Sequence, residues 1–527
     1  MSDEAVKYEE WKPSINPWIT IIPTMLAVFI YALDGTIANV ALPHMAGSFS
    51  ATRDESMWIL TSYLIASGII IPTVDWFSRL LGRKNFFILS ILVFTLASML
   101  CGMATNMETM IVARILQGAG GGGIVPITQA IFMESFKGDD RAKAMSIFGM
   151  GVILAPIIGP VLGGWITDNW SWPWIFFINV PFGCLAVILS KKFIEDPPYA
   201  KKQKNVKIDG LGLSFLIIWL ITLQIVLDKG NNADWFNTPW ICWMTAVSVI
   251  AAILFFISQA KRKNSLVDLS VFKNRNYAAG TLIQVVMQAV LYATLAILPQ
   301  FLQGMMGYDA YLSGLSMMPR GFGSFLAMLI CGNIASKVDN RVLTAIGLTL
   351  VGVGGLIFGN LNLQIANMNI MIPNFIMGFG MGFSILPLIT LSMQTLRQDQ
   401  MTNASGLQNL LKSVGAAIGT SLVATLLTRY AQIHQFMMVE HLNDLNPIFI
   451  EKLQTMTAAF SQVTHATIAK YMAQSMLYKQ LIQQATLWAF INAFRIFGLL
   501  CFSVIPLLAL MKTGKSSSSD DQTVIMH

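Results

Sequence analysis

Apolar runs of about 18 to 25 residues, each closed by a short polar clump, recur along the whole chain, and no other feature limits its fold so sharply. Coiled as a helix at about 1.5 Å per residue, such a run crosses the ~30 Å hydrocarbon core of a bilayer. The ten-residue alternating segments that mark a membrane barrel are absent. Of the 527 residues 55% are hydrophobic and 12% charged, about half the charged share of soluble domains. The net charge of +7 could point to nucleic acid. The Lys and Arg residues, however, sit in short loops between the runs, where topology accounts for them. The chain therefore reads as an all-α polytopic membrane protein with no nucleic-acid partner.

Fourteen spans are predicted, near 18–41, 57–76, 86–104, 107–131, 144–166, 172–193, 210–227, 240–259, 277–302, 312–335, 342–360, 370–394, 403–428 and 486–511. With a cytoplasmic N-terminus, the inside loops hold Arg79, Arg83, Lys84, Lys137, Arg141, Lys143, Lys191, Lys192, Lys201, Lys202, Lys204 and Lys207. The later inside loops add Lys261, Arg262, Lys263, Lys273, Arg275, Lys337, Arg341 and Arg397. The short outside loops hold only Arg53 and Lys229. This bias alternates loop by loop and places both termini on the cytoplasmic side. The N-terminal tail lacks a small-residue cleavage site and is not a signal peptide.

Two stretches interrupt the pattern. Residues 194–209 form a Lys-rich linker with Pro197–Pro198, a hinge between halves. Residues 429–485 are too polar to span. There Phe449, Leu453, Met456, Phe460 and Val463 recur at helical spacing after a turn at Asn443, Asp444, Asn446 and Pro447. They predict an outward helical hairpin, its stripe covered by the arm carrying Tyr430, Ile433, Met437 and His441. The serine-rich tail is expected to be disordered. The cysteines (Cys101, Cys184, Cys242, Cys331 and Cys501) are isolated in apolar runs, without metal or disulfide spacing. No Walker A, H-E-x-x-H or G-x-S-x-G sequence appears, so neither an enzyme nor a cofactor or metal site is indicated. Gly118-Ala119-Gly120-Gly121-Gly122-Gly123 fits G-x-G-x-x-G formally, but an apolar helix surrounds it, and close helix packing is the better account.

Several motifs stand in order along the chain. The first span carries Leu33-Asp34-Gly35-Thr36-Ile37-Ala38-Asn39-Val40-Ala41-Leu42-Pro43, and the fourth Arg114-Ile115-Leu116-Gln117-Gly118. The fifth carries Pro156, Gly159, Pro160, Gly163 and Gly164, followed by Trp172-Pro173-Trp174 and Ile178-Asn179-Val180-Pro181. Leu298-Pro299-Gln300-Phe301-Leu302-Gln303 and Pro319-Arg320-Gly321 come later. Together, over about residues 17 to 512, they resemble the fourteen-helix drug:proton antiporters of the major facilitator superfamily, the EmrB/QacA-like group, with Pro173 in place of an Arg. The resemblance implies two six-helix bundles that rock about a central cavity. The expected organisation is a cytoplasmic tail 1–17, a first bundle 18–193, linkers and two inserted helices 194–276, a second bundle 277–511 containing the periplasmic hairpin 429–485, and a tail 512–527. It further implies proton-driven efflux of lipophilic or amphipathic molecules from the bacterial inner membrane, as the permease of a tripartite system with a periplasmic membrane-fusion adaptor and an outer-membrane channel. Export of a specific metabolite, such as a siderophore or fatty acid, is the alternative on the same fold.

The resemblance carries roles to particular residues. Pro156, Gly159, Pro160, Gly163 and Gly164 form the antiporter motif, read from the residues as a kinked, close-packed span. Asn39, Gln117 and Gln300 are expected at the substrate cavity with Arg320 and Lys412. Asp75, Arg79, Gly82 and Arg83 form the gate after span 2. Relatives typically carry glycine at the position of Asp75, and the wider superfamily a carboxylate where Arg79 stands. Asp75 and Arg79 are four apart and share a helix face, so the acid can pair with Arg79 or Arg83.

Ionisable residues inside spans are costly and draw attention to function. Asp34 is the carboxylate placed well inside one, roughly 24 Å along span 1, and Arg114 enters span 4 from the other side by roughly 10 Å. Their depths in a ~30 Å core nearly coincide, which lets them meet. Burial disfavours the charged acid and the guanidinium favours it, the balance that proton coupling needs. Against this one acid stand Arg114, Arg320, Lys412 and Arg495, a balance suited to neutral or anionic amphiphiles. Arg495 is expected to snorkel to an interface instead.

Overall fold

The computed structural model describes residues 14–136, 138–197, 209–261, 266–334, 338–397, 400–443 and 445–512. Most of the expected tails, the Lys-rich part of the 194–209 linker, Asp444 and several basic loop residues (Lys137, Arg262, Lys263, Lys337) lie outside the described residues. All regular structure among the described residues is helical. In chain order the helices are α1 (Pro17–Ser48), α2 (Trp58–Leu81), α3 (Arg83–Gly102), α4 (Met107–Ser135), α5 (Gly138–Asn169), α6 (Trp174–Phe193), α7 (Gly210–Lys229), α8 (Pro239–Lys261), α9 (Arg275–Gly304), α10 (Ala310–Ile334), α11 (Asn340–Phe358), α12 (Met368–Met393), α13 (Met401–Val439), α14 (Pro447–Ser461) and α15 (Ala466–Ser503).

Thirteen helices are long and apolar enough to cross a membrane, counted among the described residues. The 32-residue α5 stands where the fifth span was expected. We call the end bearing the basic loops, after α2, α4, α8 and α10, the inner end. A helix suits this solvent because it satisfies its own backbone, leaving its ends to be capped. Asn106 accepts from the Thr109 amide at 2.8 Å to start α4, Asp209 accepts from Gly212 at 3.0 Å to start α7, and Asp339 starts α11. Gly82, at φ 86°, turns the chain from α2 into α3, a left-handed conformation that favours glycine.

Small residues set the helix spacing. A Cβ at Gly118 would collide with the Tyr63 carbonyl, one at Gly121 would lie 2.6 Å from the Tyr31 ring, and one at Gly122 2.7 Å from the Ser67 carbonyl. The glycine run thus lets α4 close on α1 and α2, as the packing account requires. Gly163 does the same for α5 on α1, where a Cβ would lie 2.7 Å from Ile37 Cγ1. Helix α5 is assigned unbroken through Pro156 and Pro160.

Helices α5 and α10 lie against one another from end to end. Gly332 meets Ser146 and Gly149 meets Met328 one turn apart toward the inner end, and Gly314 meets Val161 toward the outer end. At the opposite seam, α7 and α8 pack Leu216, Trp219, Leu220, Ala251 and Phe255 against Ile71 of α2 and Ala404, Leu407 and Leu410 of α13. Toward the outer end Thr61 of α2 donates to Asp228 of α7, and Ser421 of α13 donates to the Leu227 carbonyl at 2.8 Å. Beyond it, Arg429 pairs with Asp234 in the α7–α8 loop. Asn237 and Arg429 hold the Asp234 carboxyl below its ordinary range.

The outer projection differs from the predicted hairpin. Helices α13 (39 residues) and α15 (38 residues) run on without a break. Each is about 57 Å long against a ~30 Å core, so both extend some 25 Å past the bilayer. Between them α14 has 15 residues and lies along α15 rather than on the arm of Tyr430 and Ile433. The buried positions of that part of α15 are Ala469, Ala473 and Leu477. Phe449, Leu453, Met456 and Phe460 become half-buried, whereas Val463 stays 88% exposed because α14 ends at Ser461.

Candidate transport site

Asp34 and Arg114 meet in the middle of the first bundle. Both are fully buried, with Arg114 Nη1 2.7 Å from Asp34 Oδ2. The other carboxylate oxygen accepts from Gln117 Nε2 at 2.8 Å and Asn179 Nδ2 at 3.1 Å. Arg114 also donates to Gln117 Oε1 at 2.7 Å and, through Nε, to the Ile59 carbonyl at 3.0 Å. Asn179 is held in turn by Ser98 at 3.0 Å. The guanidinium lies 4.2 Å over the Tyr63 ring, a cation–π contact that partly replaces hydration. Gln117 therefore belongs to this cluster, not to the cavity wall: it is three residues from Arg114, so the two share a helix face.

Beside the cluster is a cavity of about 280 Å³ between the two bundles, lined by α1, α2, α4, α5, α7, α9, α10, α12 and α13. Tyr31, Gly35, Thr36 and Tyr63 line it, and Asp34 does not. The Tyr63 ring thus separates the carboxylate cluster from the cavity. Arg320 and Lys412 both line it. Asn39 and Gln300 do not, and both are exposed. Asn39 lies three residues, about 4.5 Å of helix, beyond Thr36, and Gln300 five residues beyond Leu295, so each sits past the cavity toward the outer end. Arg495 does not line the cavity either: its Nε donates to the Gly359 carbonyl at 2.8 Å at the end of α11. There it caps the outer end of α11.

At the inner end a lattice of uncharged groups, which the sequence reading missed, links the two bundles. Gln129 of α4 accepts from Ser405 at 3.2 Å and Asn409 at 3.1 Å, both on α13, and donates to Gln408 at 3.5 Å. Ser405 also reaches the Pro126 carbonyl at 3.1 Å. Near it Arg83 binds Glu134 at 2.5 and 3.1 Å and donates to Thr402 of α13 at 3.3 Å. Asp75 pairs with Arg79 at 2.9 Å, while Arg83 turns to Glu134, an acid just past the predicted end of span 4. A lone amide in an apolar run was the available signal for Gln129. Asn179 stands in the Ile178-Asn179-Val180-Pro181 motif, where spacing alone names no partner for it. The cysteines are free, and no group of metal-ligating side chains occurs among the described residues.

A family profile described as the Major Facilitator Superfamily matches residues 24–420. The chain is 33% identical over 450 residues to the probable multidrug resistance protein EmrY of Escherichia coli K12, covering 85% of this chain and 87% of that one. It is 31% identical over 507 residues to the multidrug export protein EmrB of the same strain, covering 94% and 95%. It is also 31% identical over 435 residues to the fatty acid resistance protein FarB of Neisseria gonorrhoeae, covering 82% and 85%. The fold matches a crystal structure of the human organic anion transporter MFSD10 with a TM-score of 0.57 at 12% identity, over 93% of this chain and 98% of that one.

Proposed function

The chain belongs to the major facilitator superfamily, and from that premise we propose that it is an EmrB-like exporter that drives lipophilic or amphipathic molecules out of the cell with the proton gradient. The observation that carries the coupling is the isolated Asp34–Arg114 pair, fully buried one ring away from the cavity. Protonating Asp34 would free Arg114 from its counter-charge and change the contacts of α1, α4 and α6 together. Two of those helices, α1 and α4, carry Tyr31 and Gly122 into the cavity wall, so the proton state and the shape of the site are mechanically joined. The hydrogen bonds between the bundles at Gln129 support reading this arrangement as the stage at which cargo has left the cytoplasmic side.

The multi-pass chain is assigned to the bacterial inner membrane with both termini cytoplasmic. The outer projection is assigned to docking a periplasmic adaptor that leads to an outer-membrane channel. Supporting that assignment, the projection leaves Phe436 73%, Met437 56%, Leu445 91% and Ile448 68% exposed, apolar surface that a solvated tip would not ordinarily keep. The test is efflux from everted vesicles across a panel of cationic, neutral and acidic amphiphiles, with and without an uncoupler. Uptake into the vesicles that collapses with the pH gradient is expected; uptake indifferent to the uncoupler would reject proton drive.

A further inference from the structure

Among the described residues, Arg114 in the first bundle and Arg320 in the second are the guanidinium groups exposed by 1% or less, and the two are answered differently. Arg114 has a carboxylate. Arg320, 1% exposed on α10, has Thr294 Oγ1 at 2.6 Å and the Met377 sulfur at 3.8 Å. Its Nε is buried with no hydrogen-bond partner, and no ion pair involving it occurs among the described residues. A buried cation is ordinarily paired, because leaving water without a counter-charge is costly. Arg320 nevertheless lines the cavity, as does Lys412, for which no ion pair occurs among the described residues either. The wall also carries the apolar Leu291, Leu295, Met381 and Ile385, beside the hydroxyls of Tyr292 and Ser324.

We propose that Arg320 is the head-group site of the cavity: it binds the single carboxylate of an amphiphilic acid whose hydrocarbon body lies on the apolar wall, with Lys412 as the second cation of the same cavity. This deepens the export reading and rests on it. Charge-assisted, planar pairing with a carboxylate is what a guanidinium does best, and the cargo supplies the charge that Asp34 supplies in the first bundle. Thr294 accepts from the guanidinium at 2.6 Å and fixes its position on the wall. A cationic amphiphile of the same length gains the apolar wall and meets two positive charges.

The full-length protein in nanodiscs of zwitterionic lipid is titrated with decanoate, decanol and decyltrimethylammonium, which share a tail and differ in head. Decanoate should bind about ten- to hundred-fold tighter than decanol, the value of a hydrogen bond to a charged group, and decyltrimethylammonium weakest. Arg320→Gln should bring decanoate within about threefold of decanol, Arg320→Lys should keep most of the preference, and Lys412→Ala should lower it in part. The wild-type comparison needs no variant, so a misfolded Arg320→Gln leaves the test standing. Equal binding of decanoate and decanol, tighter binding of the cation, or an undiminished preference in folded Arg320→Gln each overturns the site. Competitive displacement of decanoate by phosphatidylglycerol placed in the nanodisc would assign the site to a lipid head group and also overturn it. Dye export driven by a pH gradient, measured in liposomes from the same preparation, tests the transporter reading separately: if it persists without head-group preference, only this inference falls.

Discussion

Replacing Asp34 by Asn keeps the size of the side chain and removes its titratable charge. The carboxylate now accepts three hydrogen bonds, from Arg114, Gln117 and Asn179. The Asn oxygen can keep the last two, but its NH₂ then faces Arg114 Nη1 across 2.7 Å, donor against donor, and the guanidinium loses its counter-charge. Breaking a buried pair from one side costs about 3–5 kcal/mol, whereas removing both partners is often nearly neutral. Asp34→Asn should therefore lower thermal stability in detergent, and the double variant Asp34→Asn with Arg114→Gln should recover most of the loss. Transport separates from stability at this point. At one proton per cargo molecule, one pH unit provides about 1.4 kcal/mol and sustains an approximately tenfold concentration ratio. In liposomes with an imposed pH gradient, the single and double variants should both fall to a ratio of about one while still exchanging cargo across the membrane. Accumulation at the wild-type ratio by folded Asp34→Asn, or restored accumulation in the double variant, would refute the coupling role.

Asp34→Glu keeps the charge at a different reach and should retain part of the gradient-driven transport; complete loss would show that geometry matters as much as charge. Gln129→Ala removes the hub shared by Ser405, Gln408 and Asn409, at about 0.5–1.5 kcal/mol net per bond. Spin labels at the inner ends of α4 and α13 should then report a larger inner-open population, and unchanged distances would argue against the lattice as a gate. Gly121→Val drives a side chain toward the Tyr31 ring and should cost about 1–3 kcal/mol of stability; an unshifted melting curve would contradict the close α1–α4 approach. Replacing 429–485 by a short flexible linker should leave insertion and vesicle transport intact and abolish adaptor co-purification and whole-cell resistance. Retention of both would make the projection a lid on the transporter.

What the sequence made legible follows from regular geometry. A constant rise per residue turns position into depth, which is how Asp34 and Arg114 could be matched across separate spans before any packing was known. Charge contrast likewise marks Arg320 and Lys412, because a cation in an apolar run stands out. Rotation about the helix axis and the partner of a neutral amide are not written so plainly. Gln117 was assigned to the cavity although its three-residue offset from Arg114 already tied it to the ion pair. Asn39 and Gln300 carry the right chemistry at the wrong height. Gln129 and Asn179 have no charge to distinguish them, and their roles depend on which helix lies opposite. Asp228 stands one residue past the predicted end of span 7, and Thr61 of α2 reaches it there.

The absence of charge in the Gln129 lattice fits the energy available to open it. The ion pairs described beside it, Asp75–Arg79 and Arg83–Glu134, lie within the first bundle and move with it as the bundles rock. Among the described residues, the contacts that join the bundles there include the neutral set around Gln129 and a link from Arg83 to Thr402. Four neutral bonds at about 0.5–1.5 kcal/mol each and one to a charged group at about 1.5–3 kcal/mol sum to roughly 4–9 kcal/mol. One proton crossing 100 mV and one pH unit releases about 3.7 kcal/mol, and cargo binding adds its own difference between states. An inter-bundle salt bridge at the same place would cost about 3–5 kcal/mol by itself to leave unpaired in a dry interface. Neutral amides at this interface cost less to part than charges would, and the ion pairs described beside them lie within one bundle, where rocking does not separate them.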